Sequence, residues 1–169
     1  GLRLGEIGRS IFVYNPATKA WNYFDKEGNR VTGRQYIDGH LYYFKEDGSQ
    51  AKGEIIVENG IKYYYEPDSG ILASGRYLQV GDNQWMYFKH DGSMAIGQVR
   101  ADHGYLKYFD ENGIQVKGKT VVEDGKTYYY DAQSGALVTS SFAEIAPNQW
   151  AYLHTEGQAL KGTWTINGK

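Results

Sequence analysis

Hydrophobic positions recur along this chain as short aromatic runs, each followed by a turn that contains glycine. The runs occupy residues 21–24, 41–44, 62–65, 85–88, 106–109, 127–130 and 150–153. They end at residues 24, 44, 65, 88, 109, 130 and 153, so successive runs are 20 to 23 residues apart. A fixed period of this size is typical of a stacked array of small units and not of a single globular core.

Each unit is predicted to be a β-hairpin. Asn59-Gly60 separates the β-prone run at 54–58 from the aromatic run at 61–65, and Asp124-Gly125 and Asp38-Gly39 occupy similar places. Such pairs suit two-residue hairpin turns, in which both central residues need a positive φ. Further glycines follow the aromatic runs at Gly48, Gly92, Gly113 and Gly157, and others close the units at Gly33, Gly53, Gly75, Gly97, Gly118 and Gly162.

The sequence therefore predicts an all-β fold, a repeat solenoid of about seven stacked β-hairpins. We expect a single array over residues 1–169, and we expect it to be a fragment of a longer protein. The first, degenerate unit spans 1–33, and a truncated unit begins at 163–169. The predicted units between them span 34–53, 54–75, 76–97, 98–118, 119–140 and 141–162.

A longer period lies over the short one. Residues 38–75 match residues 103–140 at an offset of 65 without a gap, and Asn83-Gln84-Trp85 matches Asn148-Gln149-Trp150. This three-unit period divides the array into a Trp type, a Gln-x-Lys type and a Tyr-Tyr-Tyr type. Packing alone asks only that neighbouring units resemble one another. Our hypothesis from the longer period is that each unit rotates by about a third of a turn, so that units three apart face the same side.

The Gln-x-Lys units carry the most specific candidate chemistry. Gln50 and Lys52 lie two residues apart, as do Gln115 and Lys117, so each pair shares one face of an extended strand. Glutamine offers a donor and an acceptor, and lysine offers donors, which suits neighbouring hydroxyl groups of a sugar. An aromatic ring nearby would pack on the apolar face of that sugar. The alternatives are that the polar pairs form a solvated edge and that the rings are core.

Composition excludes several other functions. The net charge of −2, without a basic run, argues against nucleic-acid binding. The absence of cysteine removes thiolate metal sites, and no apolar stretch is long enough to insert into a membrane. The turns at Gly48 and Gly113 fail the calcium-loop pattern, since Tyr43 and Tyr108 would be the first ligands. The four histidines share no repeat position, so we expect no catalytic residues, metal or cofactor.

The unit of aromatic-Tyr-Phe, a short spacer, Gly, about four residues and Gly resembles the cell-wall/choline-binding repeat superfamily over residues 11–169. Within it, the Gln-x-Lys units and the offset of 65 most resemble the glucan-binding repeats of bacterial glucansucrases and glucan-binding proteins. The resemblance implies a non-catalytic β-solenoid attached to a secreted or cell-surface protein, such as a glucosyltransferase of the glucansucrase type. Its expected partner is α-glucan of the dextran type, or isomalto-oligosaccharides, bound by a monomer.

Pockets of that family combine a stacking tyrosine with polar partners. The matching residues here are Tyr43, Gln50 and Lys52 in one unit and Tyr108, Gln115 and Lys117 in another, with Gln35 and Gln98 as secondary candidates. One alternative is a choline-type cell-wall anchor, which encloses a quaternary amine between Trp and Tyr rings. Another is a structural spacer without a ligand.

Overall fold

Antiparallel β-hairpins account for nearly all regular structure in this chain. The computed structural model describes residues 10–160 and the backbone of Trp164–Thr165. Over this part of the chain, seven hairpins follow one another. Their strand pairs are β1 (Ile11–Asn15) with β2 (Ala20–Phe24), β3 (Gly33–Ile37) with β4 (His40–Phe44), β5 (Glu54–Glu58) with β6 (Ile61–Tyr65), β7 (Arg76–Gly81) with β8 (Gln84–Phe88), β9 (Gly97–Arg100) with β10 (Leu106–Phe109), β11 (Lys119–Glu123) with β12 (Lys126–Tyr130), and β13 (Ser141–Ala146) with β14 (Gln149–Leu153). A short strand, β15 (Trp164–Thr165), pairs with β14.

The tight hairpin turns have the conformation that the sequence predicts. Asn59 and Gly60 have φ angles of 52° and 79°, and Asp124 and Gly125 have φ angles of 50° and 75°. Both central residues of each turn are thus left-handed, which matches the twist of the flanking strands. The predicted all-β fold of successive hairpins is confirmed.

Three hairpins depart from the simplest pattern. The pairing of β7 with β8 shifts between Gln79 and Gly81, and that of β13 with β14 shifts between Glu144 and Ala146. Both irregularities lie within the two 23-residue steps of the repeat. A bulge places an extra residue in one strand, which is consistent with the greater length of these two steps. In the hairpin of β9 and β10, a short 3-10 helix (Asp102–Gly104) replaces the two-residue turn.

Within each body, linking arms join a hairpin to the one before it. After β4 the chain turns and Gln50 forms a β-bridge with Phe44, and Gln115 does the same with Phe109 after β10. The arms then donate backbone hydrogen bonds to the preceding hairpin. These bonds run from Gln50 to Trp21, Leu72 to Leu41, Gln115 to Trp85, Leu137 to Leu106 and Ala159 to Thr127, at 2.7–2.9 Å. These bonds connect successive hairpins within each body through their backbones.

The last residue of each later aromatic run forms the core. These side chains are at most 1% exposed: Phe44, Tyr65, Phe88, Phe109, Tyr130 and Leu153. Because side chains alternate between the faces of a strand, the residue before each of them points the other way. The structural interpretation of the rings is thus confirmed for this set, and Tyr64 and Tyr87 are buried too, while other rings such as Trp21 stay partly exposed.

The chain groups into two compact bodies. The first body comprises residues up to Ser74 together with His90–Ser93, and the second comprises Gly75–Lys89 with the residues from Met94 onward. In the second body, Tyr87, Ala95, Ala101 and Phe109 form one buried cluster. The residues that the structure describes include no helix with the length and hydropathy needed to cross a membrane.

Some sequence-based predictions cannot be compared with the structure. The start of the first unit at 1–9, the closing Gly162 and the truncated unit at 163–169 lie outside the described residues, apart from the backbone of β15. The predicted unit boundaries remain predictions.

Candidate functional site

A cleft of about 480 Å³ in the first body brings together Trp21, Gln50 and Lys52. Trp21 comes from β2, and the two polar residues come from the arm that follows β4. The backbone N–H of Gln50 donates a 2.8 Å hydrogen bond to the carbonyl oxygen of Trp21, which fixes the two segments side by side. Asn22, Arg30, Lys45, Asp47, Ser49 and Glu54 also line this Trp21 cleft.

The Trp21 ring forms an accessible aromatic wall of the cleft. It is 37% exposed, and the Tyr14 ring packs beside it with centroids 5.3 Å apart. The Lys52 ammonium lies 5.2 Å from the centre of the Trp21 ring, within the range of a cation–π contact. A smaller cavity of about 160 Å³ continues from the same ring and is lined by Phe12, Trp21, Tyr42, Gln50, Lys52 and Ser69.

Gln50 is a buried polar side chain held by the next turn of the chain. It is 8% exposed, and its Nε2 donates to the carbonyl oxygen of Ser69 at 3.3 Å. A Cβ atom on Gly70 would come within 2.2 Å of the same Nε2. The amide of Gln50 is therefore oriented by a turn that only glycine allows to approach so closely.

Two acidic groups elsewhere in the Trp21 cleft have partners within the cleft. Lys45 Nζ lies 2.7 Å from Glu54 Oε1. The side-chain hydroxyl and backbone N–H of Ser49 both donate to Asp47, and these bonds lower the pKa of that carboxyl group. The cleft thus offers hydrogen-bonding groups around an aromatic face.

A corresponding cleft of about 600 Å³ in the second body contains Trp85, Gln115 and Lys117. The Gln115 N–H donates to the Trp85 carbonyl oxygen at 2.8 Å. Gln115 is 8% exposed, and its Nε2 has no hydrogen-bond partner among the described residues. The remaining lining residues of this Trp85 cleft include the amides of Asn83, Gln84 and Gln133 and the charged groups of Asp110 and Lys119.

The structure places Tyr43 and Tyr108 outside these two linings. The Tyr43 ring packs against buried Tyr65 with centroids 5.7 Å apart, and Tyr108 packs against Tyr130 at 5.5 Å. The reason is strand alternation: Gln50 is the bridge partner of Phe44 and shares its face, so Tyr43 points to the other side. The ring beside each Gln-x-Lys pair comes instead from the preceding hairpin.

The two secondary candidates also lie away from the clefts. Gln35 donates from Nε2 to the carbonyl oxygen of Thr32 at 2.8 Å, and Gln98 donates to the Tyr130 hydroxyl at 2.9 Å. Gln35 faces Tyr42 across its hairpin, whereas Gln98 faces Tyr108. The two glutamines therefore occupy different register positions, and a role for either in ligand binding remains a prediction.

Sequence reasoning did not predict that tryptophans line the candidate clefts. Trp21 and Trp85 belong to the Trp-type units, to which the sequence assigned no pocket. A signal was present, since each of these tryptophans precedes a Gln-x-Lys pair by a similar interval. No cluster of three or more His, Cys, Asp or Glu side chains suited to a metal ion occurs in the described ranges.

Comparison with known proteins gives consistent relatives. A family model of the choline-binding repeat matches residues 16–47, 31–77 and 100–142. The chain is 40% identical over 149 residues to glucosyltransferase-S of Streptococcus mutans serotype c, an alignment that covers 88% of the chain. It is 38% identical over 152 residues to glucosyltransferase-I of Streptococcus downei, which covers 89% of the chain. The chain spans only 10% and 9% of these two relatives.

Solved structures with the same architecture include choline-binding proteins of Streptococcus pneumoniae. Choline binding protein F, solved in the presence of a peptidoglycan analogue, matches 89% of this chain and 46% of its own, with a TM-score of 0.71 and 26% identity. The choline-binding domain of CbpL matches 90% of this chain and 78% of its own, with a TM-score of 0.71 and 27% identity.

Proposed function

The chain belongs to the choline-binding repeat family, and from this premise we propose that it is a non-catalytic carbohydrate-binding module for α-glucan of the dextran type. One observation carries the proposal: the same combination of a tryptophan, a glutamine and a lysine lines a cleft in each of the two bodies. The glucosyltransferase names of the curated relatives support the choice of an α-glucan.

Each cleft offers the two kinds of contact that a neutral sugar needs. The indole ring of Trp21 or Trp85 packs on the apolar C–H face of a glucose ring. The amides of Gln50 and Gln115 and the ammonium groups of Lys52 and Lys117 bond to its hydroxyl groups. In this proposal Tyr43 and Tyr108, predicted from the sequence to stack on the sugar, support the clefts by packing on Tyr65 and Tyr130.

Two weak sites on one chain suit a polymeric ligand. A glucan presents many copies of the same residue, so binding in one cleft raises the effective concentration of ligand at the other. Retention on the polymer can then be strong although each cleft alone binds weakly. A monomer with two clefts is sufficient for this effect.

The relatives support a place for this module in a larger protein. Because the chain corresponds to about a tenth of each glucosyltransferase that it matches, we propose that it tethers a secreted or cell-surface enzyme of this class to its polymer. Isomalto-oligosaccharides are the short ligands expected to compete.

Affinity electrophoresis in a gel that contains dextran tests the function directly. The chain should be retarded relative to its mobility without dextran, and free isomalto-oligosaccharide should restore that mobility while choline should not. Unchanged mobility in dextran would indicate a spacer, and release by choline alone would indicate a choline-type anchor. Either result would overturn the proposal.

A further inference from the structure

Among the residues that the structure describes, three aromatic rings are each covered by one of the chain's own cations. The Arg34 guanidinium lies 4.4 Å from the centre of the Tyr63 ring. The Lys52 ammonium lies 5.2 Å from the Trp21 ring, and the Lys107 ammonium lies 5.5 Å from the Tyr77 ring. All three distances fall within the range in which a ring attracts a cation.

Arg34 is held in place from two sides. Its Nε and Nη2 each donate a 3.1 Å hydrogen bond to the carboxylate of Glu58, and the Tyr65 hydroxyl donates to the same carboxylate at 2.9 Å. The Arg34 side chain is 31% exposed and that of Glu58 only 16%. The result is a guanidinium enclosed by a carboxylate and a tyrosine face, which is the environment that an organic cation would need.

Lys107 is held in the same manner in the second body. It is 8% exposed, and its Nζ lies 3.2 Å from Asp102 Oδ1, which also accepts a hydrogen bond from the Tyr77 hydroxyl. Asp102 belongs to the 3-10 helix that replaces the tight turn between β9 and β10. The extra residues of this hairpin therefore supply the carboxylate that keeps Lys107 over the ring.

We propose that Arg34, Lys52 and Lys107 are internal occupants of aromatic cation sites and thereby exclude external organic cations such as choline. Quaternary ammonium groups bind to aromatic faces of this kind. The inference rests on the proposed function, because it explains why a member of the choline-binding repeat family takes a neutral glucan instead.

The exclusion follows from competition within one molecule. A cation attached to the fold is present at a high effective concentration, so a free ligand must displace it from the ring. Displacing Arg34 or Lys107 would also leave Glu58 or Asp102 without its cationic partner, and a partly buried carboxylate that loses its counter-charge is costly. A neutral sugar does not compete for a cation site, and it packs on the part of the 37% exposed Trp21 side chain that Lys52 leaves accessible.

Choline titrations of single variants test the inference. The wild type should bind choline only weakly, whereas Arg34→Ala should bind it more tightly because Tyr63 and Glu58 remain. We expect choline affinity to rise about tenfold or more over that of the wild type, measured by calorimetry. Choline should also raise the melting temperature of Arg34→Ala more than that of the wild type.

Two further variants make the test decisive. Lys52→Ala uncovers the Trp21 ring, and Trp21 is already 37% exposed. This variant should therefore fold normally and gain choline affinity even if Arg34→Ala is unstable. Lys62→Ala removes an exposed cation from β6, and its choline affinity should equal that of the wild type. Unchanged choline affinity in the folded Lys52→Ala variant, or an equal gain in Lys62→Ala, would overturn the inference.

Glucan retention separates this inference from the proposed function. Arg34 lies in neither cleft lining, so Arg34→Ala should still be retarded by dextran. If dextran does not retard the wild type, the proposed function is wrong. If dextran retards both proteins but Arg34→Ala gains no choline binding, only the proposed role of the internal cations is wrong.

Discussion

The backbone amide of Gln115 donates a 2.8 Å hydrogen bond to the carbonyl oxygen of Trp85, in the hairpin that precedes its own. Gln50 and Trp21 form the same bond at the same length in the first body. Each cleft is thus assembled by main-chain pairing between hairpins, and its ring and its polar groups are in place before any ligand arrives. Such preorganisation reduces the entropy lost on binding.

Replacing the cleft tryptophans should weaken glucan binding in two separable steps. We expect Trp21→Ala and Trp85→Ala each to weaken isomalto-oligosaccharide binding at the altered cleft only. The affinity of that cleft should fall about tenfold, which corresponds to roughly 1.4 kcal/mol. Isothermal titration calorimetry on each variant measures this loss. The double variant should lose retention in dextran gels almost completely, because avidity needs both clefts.

Tyr36→Ala is the matched control for these tryptophan variants. Its ring is 73% exposed and lies in neither cleft lining. Removing it should leave glucan affinity unchanged. Equal losses for Tyr36→Ala and Trp85→Ala would show that binding depends on exposed rings in general and not on the clefts.

Gly135 should control glucan binding through Gln115. A Cβ atom at Gly135 would come within 2.4 Å of Gln115 Nε2, so the Gln115 amide must shift in Gly135→Ala, whereas its 3.3 Å approach to Lys117 Cγ needs only a small adjustment of that methylene. We expect weaker oligosaccharide binding in that variant, by about tenfold. In a Gln115→Ala background the same glycine substitution should have no further effect on affinity, because the group it displaces is gone.

Gly125→Ala provides the control for backbone strain. Gly125 has the same φ of 75° as Gly135, but nothing lies within 4 Å of its Cβ position. Both variants should lose about 1–2 kcal/mol of unfolding free energy, since an alanine is strained at this φ. Urea denaturation measures that loss, and an equal loss of glucan affinity in both variants would contradict a positioning role for Gly135.

Tyr43→Ala and Tyr108→Ala should affect stability more than binding. Each ring packs on a tyrosine that is at most 1% exposed, so its removal should cost about 2 kcal/mol of unfolding free energy per site. At a temperature where the variants are folded, the affinity for isomalto-oligosaccharide should stay within about twofold of that of the wild type. A much larger loss of affinity in folded protein would instead support the stacking role predicted from the sequence.

Stability should fall in alkaline solution because of buried tyrosines. Burial raises the pKa of Tyr130 to about 12, although the hydrogen bond from Gln98 acts in the opposite direction. The phenol of the unfolded chain titrates at about pH 10. The contribution of Tyr130 to the unfolding free energy is therefore complete below that pH and is lost as pH rises towards about 12. Urea denaturation at several pH values should show this decline.

Two phenylalanine variants identify the source of the alkaline decline. Tyr130→Phe removes the buried phenol, so unfolding free energy should depend less steeply on pH between about 10 and 12. Tyr36→Phe, at a 73% exposed ring, should leave the slope unchanged. An unaltered slope in Tyr130→Phe would exclude this phenol as a contributor.

Local features of the fold were predictable from the sequence because they depend on neighbouring residues. Asn59-Gly60 and Asp124-Gly125 predict their turns, since few other pairs adopt positive φ twice in succession. The prediction of a hairpin at β9 and β10 was right, but its 3-10 connection was not foreseen. The candidate Gln50–Lys52 and Gln115–Lys117 pairs do come together with a ring, although not with the ring that the sequence suggested.

The amino-acid sequence by itself determined the number and position of the hairpins, because turn residues and strand alternation act over a few positions. Only the tertiary structure decided that Trp21 stands beside Gln50 and Lys52, since that contact follows from the hydrogen bonds between one arm and the preceding hairpin. The same stacking decided which rings are covered by Arg34, Lys52 and Lys107. Contacts between hairpins depend on long-range packing, and a period of 20 to 23 residues does not reveal which faces meet.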